Sequence, residues 1–199
     1  MKILFLSNNE ISNNLIYWLR NIAKEEIILY DKPVNIEFLK KIKPNFIISY
    51  NYKFIIKQEI INYIKNNIIN LHISLLPWNK GADPNVWSFL ENTPKGVTIH
   101  IIDEGIDTGP ILVQKEILID ENIETLKSSY EKLHREIQKL FKNNWNNIRN
   151  KKLKPIHQNS KGSLHYKNEF KKIKDLLGSK RWDIPITEFK DRYKNLKGE

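Results

Sequence analysis

Short, nearly all-apolar runs recur along this chain with helical patterns between them, and this alternation constrains the fold more than any other feature. Residues 2–7, 27–30, 45–49 and 68–72 are apolar runs without helical spacing and read as buried strands. Between them Ile11, Leu15, Ile16 and Leu19, then Ile36, Phe38, Leu39 and Ile42, and more weakly residues 55–64, repeat at helical intervals. Asn8, Asn9 and Ser12 offer side-chain oxygens to cap the first helix, and Asp31-Lys32-Pro33 turns the chain before the second. Strand and helix alternating every 20 to 25 residues or so predicts an α/β fold, a Rossmann-like doubly wound, mostly parallel sheet with flanking helices.

Further on, a short helix is expected over residues 85–90. Residues 96–103 alternate like a half-buried strand, and residues 109–117 form its hairpin neighbour. The strongest local pattern follows. Ile123, Leu126, Tyr130, Leu133, Ile137, Leu140, Phe141, Trp145 and Ile148 are spaced 3, 4, 3, 4, 3, 1, 4 and 3, which makes one continuous apolar helix face. From residue 150 the pattern loosens into a Lys-rich stretch with Pro155, Gly162, Gly178 and Pro185 and one short helix near residues 169–177. The expected organisation is a catalytic domain over residues 1–150 and a short C-terminal tail, residues 151–199, packed on it.

Several function classes fall away on composition. There is no Cys, so disulfides, a thiolate nucleophile and a Cys-based zinc site are all excluded. No apolar run approaches the length needed to span a bilayer, and residues 2–6 start a strand without a signal-peptide layout, so a cytoplasmic protein is expected. The net charge of +10 could suit nucleic acid, but the Lys residues are scattered through an Asn- and Ile-rich background and form no stripe. Small molecules are the expected partners, with no nucleic acid and no membrane.

Polar groups at the end of a buried strand need a reason, and "NLHISLLPWNKG", residues 70–81, supplies the candidates. In an open parallel sheet, ligands bind beyond the carboxyl ends of the strands. Asn70 and His72 lie there, two residues apart and so on one face. "HIIDEGIDTG", residues 100–109, leaves the end of the next strand and brings His100, Asp103 and Asp107 to the same rim. Three chemistries could use this set. Ser74 beside His72 suggests a serine hydrolase, but no G-x-S-x-G elbow surrounds it. His72, His100, Asp103 and Asp107 have metal-binding atoms but lack the i, i+4 spacing of two ligands on one helix face, so no metal is expected. The third is acyl transfer to an amine without a covalent intermediate: Asn70 donates to the developing oxyanion, His72 handles the proton, and an aspartate orients His72.

These residues carry a resemblance. "NLHISLLPWNKG" followed by "GVTIHIIDEGIDTGPIL", residues 96–112, resembles the folate-dependent formyltransferases in spacing, loop and both flanking strands. The resemblance implies transfer of a formyl group from the co-substrate 10-formyltetrahydrofolate to an amine, with Asn70, His72 and Asp107 as the catalytic residues. Asp107 matches because it directly precedes the Thr-Gly pair; His100 is similar to a histidine that supports the site. It further implies a pterin lying along Ser49, Tyr50, Tyr52 and Phe54 and near Asp103. It is also compatible with a homodimer, although the long apolar helix face would serve a monomer core equally well.

The family divides by acceptor. Initiator-tRNA enzymes carry an extra C-terminal domain for which this chain is expected to be too short. Glycinamide ribonucleotide formyltransferases of purine synthesis are a rival; they carry a Gly-Ser-rich phosphate loop after the first strand, where this chain has "SNNEISNN". "SYNYKFI", "LPWNKGADPNVWSFLENTPKGVTIH" and "KGSLHYKNEFKKIKDLL" look most like the small enzymes that formylate nucleotide-linked deoxyamino sugars for surface glycans such as lipopolysaccharide. On that resemblance Asn9, Trp78, Asn79, Lys80 and His165 contact the acceptor, with Lys80 or Lys161 meeting its diphosphate. A non-enzymatic folate- or nucleotide-binding module is the alternative outside enzymology.

Overall fold

A computed structural model of the chain describes residues 1–198. Two compact units are present: one takes in residues 1–72, 99–113 and 145–158, the other residues 73–98, 114–144 and those from Asn159 on.

In the first unit β1 (Lys2–Leu6), β2 (Glu26–Tyr30), β3 (Phe46–Ser49) and β4 (Ile68–His72) pair in parallel, with Ile3 facing Ile27 on one side and Phe46 on the other, and Ser49 facing Asn70. The sheet order is β2-β1-β3-β4-β6-β7, where β6 is Gly96–Ile101 and β7 is Ile111–Glu116. The mostly parallel, doubly wound sheet expected from the sequence is therefore the one observed. Leu4, Leu6, Ile47 and Ile68 project from these strands into a core with Val34, Leu39, Ile60 and Ile64. Each such side chain, fully buried, stabilises by about 1.5–3 kcal/mol. The chain steps from β1 to β2 on one side and then to β3 on the other, so the crevice at the strands' carboxyl ends opens between β1 and β3.

Helix starts follow local chemistry. Asn9 Oδ1 accepts from Ile11 N at 3.0 Å, capping a short 3₁₀ turn (Glu10–Ser12) that leads into α1 (Asn13–Asn21). Asn35 Oδ1 accepts from Phe38 N at 2.8 Å and starts α2 (Ile36–Ile42), which ends on Lys43 in the left-handed region. The helix expected over residues 55–64 is confined to α3 (Gln58–Ile64). Ile55 is 85% exposed and adds nothing to a buried face.

In the second unit α4 (Pro84–Leu90), α6 (Lys167–Ile173) and α7 (Ile186–Lys197) surround Trp87, Phe89, Phe170, Ile184, Ile186 and Phe189. The long helix α5 (Leu126–Arg149) starts three residues later than the apolar spacing suggested. Thr125 and Ser128 explain this: Thr125 Oγ1 accepts from Ser128 N at 3.0 Å and Ser128 Oγ from Thr125 N at 2.9 Å, a reciprocal cap that leaves Ile123 outside. Leu133, Ile137, Phe141, Trp145 and Ile148 of its apolar face are buried within the chain. Residues 145–149 of this helix belong to the first unit, where Glu25, with a side chain 1% exposed, accepts from Trp145 Nε1 at 3.0 Å and pairs with Arg149 Nη1 at 2.5 Å beside the start of β2. The tail is more ordered than its composition suggested. Beyond α6 lies a 3₁₀ stretch (Lys174–Asp183), broken at Gly178 (φ 57°) and Arg181 (φ 49°), and then α7.

No helix among the described residues is long and apolar enough to cross a membrane.

Candidate functional site

Four polar side chains meet in the first unit where β4 and β6 end. Asn70 Nδ2 donates to Asp107 Oδ1 at 3.0 Å, and His100 Nε2 lies 3.2 Å from the same oxygen and 3.4 Å from the Asn70 amide nitrogen. His72 Nδ1 lies 3.5 Å from the other carboxylate oxygen. His72 and His100 are buried and their rings stand edge to face, 6.5 Å apart. The three residues expected to carry chemistry, Asn70, His72 and Asp107, are thus brought together, with His100 among them.

The hydrogen positions follow from the acceptors. His100 Nδ1 is 2.8 Å from the Ile101 carbonyl oxygen, which can only accept, so Nδ1 carries a proton. Nε2 in turn lies within reach of both the Asp107 carboxylate and the Asn70 amide.

Asp107 itself has φ 51°, the left-handed region that non-Gly residues seldom occupy, and such backbone persists where its surroundings enforce it. Three features do so. Asp103 Oδ1 accepts from Gly105 N at 3.2 Å and from Thr108 Oγ1 at 2.7 Å, which makes Asp103 the brace of the turn. A Cβ on Gly109 would stand 1.8 Å from Ile101 O, so only glycine lets the chain pass back so close to β6. Gln158 Nε2 donates to Asp107 O at 2.9 Å and to Gly109 O at 2.8 Å. Nothing in the sequence pattern marked Gln158, which lies in an irregular stretch with no apolar period. Its one signal is the antiparallel bridge between Ile111 and Ile156, which only the fold reveals.

The loops after β1 and β3 are joined at the β1–β3 crevice. Asn8 N donates to Asn51 O at 3.1 Å, and Lys53 N to Asn8 Oδ1 at 3.0 Å. Here lie the residues expected to hold a pterin. Ser49 and Tyr50 are buried, and Phe54 packs edge-on against Tyr52 at 5.4 Å between ring centres. The Tyr52 hydroxyl donates to Lys32 O at 2.6 Å and accepts from Val34 N at 3.0 Å, and burial raises its pKa. Tyr52 thus holds the loop, whose Asn51 has an amide nitrogen buried without a hydrogen-bond partner. An orphaned donor at the crevice fits a heterocycle with ring nitrogens and carbonyls, such as a pterin. Asn9 sits beside this crevice as the helix cap already described.

The remaining expected contacts belong to the second unit. Ser74 Oγ donates to Trp78 O at 2.7 Å, which commits that hydroxyl to the loop. Residues 80–81 (β5) pair in parallel with residues 164–165 (β8). Asn79 N donates to Ser163 Oγ at 2.9 Å, Lys80 N to Ser163 O at 3.0 Å, and Ala82 N to His165 O at 2.9 Å. A Cβ on Gly162, itself at φ 59°, would meet Pro77 O at 1.8 Å. The segment around Ser163 therefore straps the loop into one shape.

On this frame the four side chains differ. Trp78 is 39% exposed, whereas Asn79 is fully buried and accepts from Thr93 Oγ1 at 2.7 Å. Lys80 is 9% exposed, donates to Lys161 O at 3.0 Å, and has no carboxylate partner among the described residues. His165 is buried, stacked on Trp87 at 4.2 Å, with Nδ1 3.1 Å from Glu169 and Nε2 3.1 Å from Glu91. The Tyr166 N–H and then His165 hold the Glu169 carboxyl below the ordinary range.

Comparison with known proteins bears on this arrangement. A family model described as formyl transferase matches residues 29–144. The crystal structure of the formyltransferase PseJ from Anoxybacillus kamchatkensis, in complex with UDP-4,6-dideoxy-4-formamido-L-AltNAc and tetrahydrofolate, is 42% identical, with a TM-score of 0.85 over 95% of this chain and 97% of that one. A 4-N formyltransferase from Francisella tularensis is 25% identical, with a TM-score of 0.69 over 87% of this chain and 79% of its own. Among curated sequences, the methionyl-tRNA formyltransferase of Thermodesulfovibrio yellowstonii is 37% identical over 180 residues, 82% of this chain. The chain spans little more than half of that relative's length, 58%. The matched span runs from β2 through most of α5 and contains Asn70, His72, His100 and Asp107, and on this evidence the chain belongs to the formyl transferase family.

Proposed function

We propose that this protein moves a formyl group from 10-formyltetrahydrofolate to the primary amine of a nucleotide-linked deoxyamino sugar. The observation that carries the reading is the convergence of Asn70, His72 and Asp107 in the first unit, supported by the 42% identity to a formyltransferase whose crystal structure holds a UDP-linked formamido sugar and tetrahydrofolate.

The co-substrate supplies an activated formyl carbon. The protein's part begins with the amine, which attacks only when neutral and must lose a proton as the C–N bond forms. His72 is the base, directly or through a water, and Asp107 on its Nδ1 side fixes the ring and stabilises the imidazolium that results; the same proton is then returned to the folate nitrogen as its bond to the formyl carbon breaks and tetrahydrofolate leaves. The Asn70 amide donates to the carbonyl oxygen as it gains charge, an interaction worth about 3–4 kcal/mol in the transition state. His100 anchors Asp107 from the far side and leaves the second Asn70 N–H to that oxygen. The donor lies along the Ser49–Ile55 backbone and the Asn51 amide. Trp78 offers its exposed indole to the acceptor, and the Lys80 ammonium, without a carboxylate partner among the described residues, is the group assigned to the diphosphate.

A second reading rests on the 37% identity to a methionyl-tRNA formyltransferase. One panel separates the readings: UDP-linked 4-amino-4,6-dideoxy sugar, dTDP-linked amino sugar, initiator methionyl-tRNA and glycinamide ribonucleotide, each supplied with 10-formyltetrahydrofolate. Transfer to a nucleotide sugar at a kcat/KM at least 100-fold above the others is expected. Preference for the tRNA or for glycinamide ribonucleotide would overturn the sugar assignment, and turnover of folate without any amine would mark a hydrolase.

A further inference from the structure

We infer that Gln158 is a positioning residue for formyl transfer, the group that holds Asp107 where it can serve His72; this rests on the function proposed above. Both N–H bonds of its amide are spent on one turn, on Asp107 O at 2.9 Å and Gly109 O at 2.8 Å. Those two carbonyls bracket Thr108, so the amide fixes the backbone on both sides of the residue that follows Asp107. With Asp107 at φ 51°, relaxation of the turn toward an ordinary backbone angle would swing the carboxylate away from Asn70, His72 and His100. Gln158 is delivered by the two-way bridge between Ile111 and Ile156, each N–H donating to the other's carbonyl at 2.8 Å.

A second observation argues that this amide is not there for stability alone. Gln158 Oε1 is buried and has no hydrogen-bond partner. A buried acceptor left unpaired is destabilising, and an apolar side chain of the same length would avoid it. Methionine is that side chain, and it removes the clamp and the orphaned oxygen together. It also leaves the Asp107 and Gly109 carbonyls without their donor, so a purely structural role predicts lower stability with kcat of the folded protein unchanged, whereas a positioning role predicts that kcat itself falls.

The test compares wild type, Gln158→Met and Gln158→Glu in steady-state formyl transfer, with thermal melts of each. Gln158→Met should lower kcat at least tenfold at temperatures where the melts show it folded, with both KM values within threefold. In Gln158→Glu an ionised carboxylate would face two carbonyls, whereas the protonated acid can donate to one of them. Its kcat relative to wild type should therefore recover as pH falls. Histidine ring NMR gives a readout independent of turnover: the ring resonances of His72 and His100 should move in Gln158→Met as Asp107 moves. Gln158→Met with kcat within twofold of wild type, or with unchanged histidine ring resonances, overturns the inference. A wild-type protein that transfers to no amine overturns the proposed function instead, and the histidine signals then decide whether Gln158 holds Asp107.

Discussion

His100 Nε2 lies 3.2 Å from Asp107 Oδ1 while the same ring's Nδ1 donates to the Ile101 carbonyl at 2.8 Å. The ring is thus fixed by backbone on one side and grips the carboxylate on the other, and Asp107 is held between two histidines. Removing the grip in His100→Leu leaves Asp107 free to rotate and to capture both N–H bonds of Asn70. Turnover should fall on the order of 10- to 100-fold, as for other groups that orient a reacting side chain. Steady-state assays with saturating donor check this, and activity within twofold of wild type would show that Asp107 needs no such anchor.

Removing any of the three central side chains should cost more. His72→Asn lacks the base, Asp107→Asn lacks the charge that stabilises the imidazolium, and each should lower kcat by roughly 10³-fold or more. Asn70→Ala should lose about 10²–10³-fold through its oxyanion contact. Circular dichroism should show all three folded, since none belongs to the apolar core of the first unit.

Much of this was readable from the sequence. Most strands could be found because they are short apolar runs buried on both faces, as all of Phe46–Ser49 is, while β2 at the sheet edge is only partly covered. The rim followed from strand polarity, since Asn70 and His72 are the polar residues that end β4. The tail was harder. Ile186, Phe189 and Tyr193 are spaced 3 and 4 and pack on one core, a helical signal carried by three residues in a Lys-rich background. Gln158 and Ser163 left no pattern at all, because each acts on backbone atoms far away in sequence. Tyr52 is expected at the pterin only through the resemblance, and what no sequence pattern signals is that its hydroxyl ties the loop to Lys32 and Val34.

The strap on the loop after β4 makes its own prediction. A methyl group on Gly162 would collide with Pro77 O, and φ 59° disfavours any side chain. Gly162→Ala should therefore loosen residues 77–82. Amide hydrogen exchange there should quicken, and KM for the acceptor should rise about tenfold or more while KM for the folate donor stays within twofold. Equal changes in both constants would detach the loop from acceptor binding.

Acid should weaken the second unit through His134. Burial pushes its pKa from the ordinary 6.5 down to about 3, with the ring 1% exposed in α5 and edge-on to Tyr130. The folded state thus resists the proton that the unfolded chain accepts. Its contribution is constant above about pH 6.5 and is lost as pH falls from there toward 3. Between pH 7.5 and 5 the loss attributable to this one group is about 2 kcal/mol. Urea unfolding at the two pH values, for wild type and for His134→Gln, should show the variant losing less by about that amount.

The central claim is acceptor-dependent transfer of one formyl group, and the most direct measurement follows the label. Donor carrying ¹³C in its formyl group is mixed with the UDP-linked 4-amino-4,6-dideoxy sugar and either wild-type protein or Asp107→Asn. The ¹³C should appear as a formamide on the sugar, in step with tetrahydrofolate release, with wild type and not with the variant. Label that stays on the folate, or that appears only as free formate, would contradict the account.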